Sequence, residues 1–236
     1  MDNDDFPIDS NVSVSLHPHV FLNIEGLDDD SRQFVAPAIE AFETAVLSIG
    51  AIHKARDLAS KNAALTPENV ILQVSAFADK KVAEVSKLID RASATLKKQV
   101  AFMDNALQEP LEQSTASPMS AEIRSLVRGM TPGDRRAFIK TATDAGDTQA
   151  LSAVLGAPIY LTGITALERD AFTRIYREKA SPALANRLKV ARAALAILDD
   201  NSGLVLTQAE KAIGADRRKV TLLREADNKM RKAFSA

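Results

Sequence analysis

Two of the three histidines, His17 and His19, flank Pro18, and the third is His53. On an extended segment alternate side chains point the same way, so His17 and His19 could share a metal ion. Proline between them and the lack of further ligands nearby count against it, because protein metal sites need three or four ligands. His53 follows Ile52 in an apolar run and reads as a residue at the boundary of a core rather than a general base. A calcium loop starting at Asp199 would put Asn201 at its third position and Glu210 at its twelfth. It would also put Gly203 where an oxygen ligand is needed and Leu204 where glycine is needed. The stretch reads instead as a helix end with Asn201 and Gly203 in left-handed conformations. There is no cysteine, which removes disulfides and thiolate chemistry. No phosphate-binding glycine loop, nucleophile elbow or zinc-protease motif is present. No catalytic residue, cofactor or metal ligand is therefore expected, and an enzyme is not.

Charge supplies the next chemistry. Residues 1–30 carry eight acidic side chains and no basic one, whereas 204–236 carry eight basic and four acidic. The two ends could meet each other or meet partners. The last helix bears Arg217, Arg218, Lys219, Arg224, Lys229, Arg231 and Lys232 beside an apolar face of Val220, Leu223, Met230 and Phe234. Arg217, Arg218, Lys219, Arg224, Arg231 and Lys232 are the candidates for neutralising phosphates of a nucleic acid. Asp216, Glu225 and Asp227 dilute that charge, no aromatic ring is interleaved for base stacking, and basic residues near a helix C-terminus also serve its dipole.

These side chains must be carried by helices. Alanine is abundant, aromatics are 5% and tryptophan is absent, which favours helix over sheet and thin helix–helix seams over a thick core. Val12, Val14 and Leu16 alternate with serines, so 12–24 is expected to be extended, although no second strand exists to pair with it. A helix is expected from Asp30 or Ser31 to about Ala64, with Val35, Ile39, Phe42, Val46, Ile49 and Ile52 on its apolar face. Thr66-Pro67 opens a second helix that meets no internal glycine or proline before Glu109. Its stripe places Val74, Val85, Leu96 and Leu107 in equivalent positions of an eleven-residue rhythm, which favours a nearly straight seam. Such a helix spans roughly 60 Å, more than the roughly 45 Å across a compact globule of this length.

The expected fold is therefore all-α: an extended acidic N-terminal arm (1–29), a long antiparallel helical hairpin (30–109), a linker (110–119) and a bundle of shorter helices (120–236). Val74, Val85, Leu96 and Leu107 are the expected partner-binding residues, because two helices alone rarely bury both seams; either the C-terminal helices or another copy must complete them. No run of 18 apolar residues is seen and the N-terminus is acidic, so neither a membrane partner nor a secretory leader is expected, and a cytoplasmic protein is.

Arg135-Arg136-Ala137-Phe138 through Asp144-Ala145-Gly146-Asp147, with Ala153-Val154-Leu155-Gly156-Ala157-Pro158 and Leu161-Thr162-Gly163, resembles a segment of uncharacterised helical proteins of tailed phages and prophages. The resemblance covers roughly residues 120–180 and implies a virion, scaffolding or head-assembly component, located in the virion. It carries over no functional residue. The leading expectation is a non-enzymatic interaction or assembly protein that associates with itself or a larger assembly; a nucleic-acid-associated protein is the alternative.

Overall fold

The computed structural model describes residues 6, 9–109, 111 and 118–234. Among them the chain is helical and contains no strand. The acidic positions 2, 4 and 5, and most of the expected linker, lie outside the described residues.

The extended reading of 12–24 is corrected. Val14–Leu16 form a 3-10 turn and His19–Leu22 a short helix, α1. With no partner strand in reach, the backbone bonds close locally: the amide of Leu16 donates to Ser13 and that of Val20 to His17. Val12, Leu16, Phe21 and Ile24 are buried while Val14 is exposed, so the valine–serine alternation did not mark two faces. Phe21 meets Phe42 edge-on at 4.9 Å between ring centres.

Helix α2, Asp29–Ser60, opens with a reciprocal cap: the Ser31 amide donates to the Asp28 carboxylate at 2.7 Å, and the Asp28 amide to the Ser31 hydroxyl at 3.0 Å. Pro37 lies two turns inside it, on an exposed face where the orphaned Gln33 carbonyl can meet water. One window of α2 is apolar enough to cross a bilayer by composition, but 61% of it is buried inside the protein. Core helices pass the same test. A short stretch, 61–66, then leads into α3, Pro67–Gln108, whose first turn is capped by the Thr66 hydroxyl accepting from the Asn69 amide at 3.3 Å. The two make the long antiparallel pair.

Shorter helices follow: α4 Pro118–Gly129, α5 Pro132–Ala145, α6 Thr148–Leu155, α7 Ile159–Thr162, α8 Ala166–Ala180, α9 Pro182–Asn201, α10 Leu204–Ile213 and α11 Arg217–Phe234. The basic last helix is preceded by a separate one, the two divided by Gly214, whose φ of 77° only glycine adopts readily. Gly203 is not left-handed as expected: its φ is −63°, and the Asn201 side chain donates back to the Ile197 carbonyl instead.

The chain falls into two compact units, Met1–Gln99 with Lys189–Ala236, and Val100–Leu188. This grouping differs from the expected split at 110–119. In the first unit α10 packs along α2, burying Val205, Ala209, Ala212 and Ile213. Alanines make the close approaches (Ala38, Ala41, Ala45, Ala78, Ala92, Ala191 and Ala194 are buried). Of the two completions expected for the hairpin, the C-terminal helices or another copy, α10 is the one that packs on α2. The second unit is built around Val127, Ile139, Leu151, Val154, Leu155 and Ile164, with Phe138, Phe172 and Tyr176 packed against them.

Candidate interaction surfaces

The apolar stripe of α3 comes first. Val74, Val85, Leu96 and Leu107 are all buried by the chain itself. Their reading as partner-binding residues is corrected on that ground: the eleven-residue rhythm located a seam, and the seam is filled within one chain. Ser75 is buried beside the stripe, donating to the Leu72 carbonyl at 2.9 Å.

The basic helix is partly used inside the protein. Arg224 of α11 donates to the Ser75 hydroxyl at 2.9 Å and pairs with Asp79 at 2.7 Å, which pins α11 to α3. Arg231 pairs with Asp227 one turn back, at 2.7 Å. Arg224 is thereby withdrawn from the phosphate-binding set, whereas Arg231 stays exposed to solvent in its pair. Arg217, Arg218 and Lys219 are exposed in the first turn of α11. They stand at the positive end of the helix dipole, where cations are disfavoured, so compensation of that dipole does not account for them. Asp216 caps this end, accepting from the Lys219 amide at 2.7 Å. Lys232 lies in the last turn, where a cation is favoured. As for the acidic head, its Glu25 meets Lys189 of α9 at 2.8 Å, and this hydrogen-bonded cation holds the Glu25 carboxyl below its ordinary range.

No three His, Asp or Glu side chains come together as metal ligands among the described residues. His17 accepts from the His19 amide at 3.2 Å through Nδ1, and its Nε2 lies 3.3 Å from the Phe6 carbonyl. Asp199 to Glu210 is the end of α9 and most of α10, with no loop between them to wrap an ion.

Two apolar surfaces stand exposed, and of these the one on α4 and α7 was not singled out from sequence. On α4, Met119 and Leu126 stand seven residues apart on one side, while Ser120, Ile123 and Val127 face the core. Met119 is 53% exposed and Leu126 58%. Helix α7 packs on α4 and leaves Tyr160 72% exposed. The spacing of Met119 and Leu126 was available as a signal, but which side of α4 is covered depends on α6 and α7. On α11, Leu222, Met230 and Phe234 are exposed and only Val220 is buried.

Comparison with models of known protein families, with curated proteins and with solved structures finds no match to this chain. The chemistry of these surfaces therefore has to be argued from the chain alone. Met119, Leu126 and Tyr160 are exposed side chains on two helices packed together.

Proposed function

We propose that this is a non-enzymatic helical assembly protein that associates with copies of itself through the surface of α4 and α7. The observation that carries the reading is Met119, Leu126 and Tyr160 standing in solvent on adjoining helices. Isolated exposed apolar residues are ordinary, but a patch on packed neighbours favours a partner. A symmetric pairing would bring the same patch together from both copies, the usual arrangement of a homodimer. Helical texture and the resemblance of 120–180 to phage-encoded proteins favour a virion, scaffolding or head-assembly role as the specific version.

Sedimentation equilibrium tests this. The wild-type chain is expected to exceed the mass of one chain as concentration rises, and Leu126→Lys combined with Tyr160→Lys is expected to return it to one chain. Both positions are exposed, so folding is not at stake. A single-chain mass at every concentration would overturn the reading. Duplex DNA binding that weakens steeply with salt would instead favour the nucleic-acid alternative, in which Arg217, Arg218, Lys219, Arg231 and Lys232 are the exposed cations.

A further inference from the structure

The last helix carries an apolar face on which Leu222, Met230 and Phe234 are exposed and Leu223 is half-buried. At 3.6 residues per turn, Leu222, Ala226, Met230 and Ala233 fall on one side of α11, continued by Leu223 and Phe234. Arg217, Arg218, Arg224, Lys229, Arg231 and Lys232 fall on the other, while Lys219, in the first turn, falls within the apolar sector. The side that touches α3 lies opposite the apolar sector and takes in part of the basic one: Arg217, Val220, Thr221 and Arg224 line the groove shared with Ser75, Ala78, Asp79 and Val82. Leu222 is therefore 59% exposed, Met230 53% and Phe234 86%. From Asn228 to Phe234 every residue is exposed.

We infer that α11 docks on an anionic lipid surface, with this apolar face at the acyl boundary and its cations among the headgroups. Charge selects the occupant. Between Arg217 and Phe234 there are seven basic and two acidic side chains, so a second α11 would be repelled and an anionic partner attracted. A nucleic acid would engage the cations and leave Met230 and Phe234 in water. A planar anionic layer takes both faces at once: cations flank the apolar sector on both edges, Arg218 and Lys229 on one and Arg231 on the other. Their long stems can lie along the boundary while the heads reach phosphate. Low overall hydropathy with a strongly one-sided apolar face is the pattern of helices that lie in an interface. Arg217, Arg218, Lys219 and Lys229 form no ion pair among the described residues. Three of them occupy the dipole's unfavourable end, which a headgroup phosphate would relieve. The expectation of no membrane partner rested on the absence of spanning segments, and a helix lying on the surface needs none. This surface is separate from that on α4 and α7, so either proposal can fail alone.

The test is co-sedimentation of the full chain with vesicles of phosphatidylcholine alone or of phosphatidylcholine and phosphatidylglycerol in equal parts, at about 0.1 M salt. Binding to the anionic vesicles only is expected. Met230→Glu with Phe234→Glu is expected to weaken it at least about tenfold, and Arg218→Gln with Lys229→Gln also to weaken it. All four positions are exposed, and unchanged far-UV circular dichroism in buffer would show the fold intact. Four results would overturn the proposal: no binding to either vesicle; equal binding to both; binding to anionic vesicles that Met230→Glu with Phe234→Glu leaves unchanged; or a mass in solution that falls to one chain in that variant without lipid, which would mean a second copy covers the face.

Discussion

Arg135 shows how much of the second unit hangs on single side chains. Its guanidinium donates to the carbonyls of Val127 at 3.1 Å, Met130 at 3.0 Å and Gly163, joining the ends of α4 and α7 to α5. Helix C-termini leave carbonyls without amide partners, and here one planar fork serves those of Met130 and Gly163 and adds a second donor to that of Val127, which already accepts from the Met130 amide. Arg135→Ala is expected to lower stability by about 2 kcal/mol, and Arg135→Lys to recover only part, because an ammonium cannot fork; urea unfolding midpoints measure both. Asp144 adds a pH dependence. Hydrogen bonds from Lys140 at 2.5 Å and from Lys179 of α8 hold its carboxyl below the ordinary 3.8, at about 2. A carboxyl depressed in the fold contributes stability in full above about 4 and loses it as pH falls through about 2. The ions are solvent-exposed, so the effect is small. Melting temperatures of wild type and Asp144→Asn should therefore differ at neutral pH and converge toward pH 2. A constant difference across that range would contradict the assignment.

At the scale of elements, what could be read early was what local chemistry decides. Thr66-Pro67, Thr131-Pro132, Asp147 and the Thr165–Glu168 box all stand at helix starts, because capping bonds span three residues and leave a local signature. The stripe of α3 was equally legible as a stripe. What covers it was not, because Arg224 of α11 and Ser75 of α3 are 149 residues apart in the chain. The segment 12–24 failed for a related reason: its alternation is short, and Pro18 begins α1 rather than breaking a strand. Gly214 lies between these cases. Its left-handed turn separates α10 from α11, and a Cβ there would come within 2.3 Å of the Arg56 guanidinium, a close approach that only the folded chain shows. Val85→Asp is expected to place an unpaired charge in the closed seam and cost about 3 kcal/mol or more. Thermal unfolding measures it, and an unchanged melting temperature would mean that Val85 is not enclosed.

For the whole molecule, two compact units carry two exposed apolar surfaces, one on α4 and α7 and one on α11. Neither was among the residues expected to bind partners, since periodicity finds apolar faces without telling which are already occupied. The central claim is that the seam of α3 closes within a single chain while α4 and α7 gain their cover only on association. Hydrogen exchange at a series of protein concentrations tests this most directly. Amides around Val85 and Leu96 should exchange equally slowly at every dilution, while those of Met119 to Leu126 and of Tyr160 should slow as concentration rises. Loss of protection around Val85 and Leu96 on dilution, or α4 and α7 exchange that ignores concentration, would contradict it.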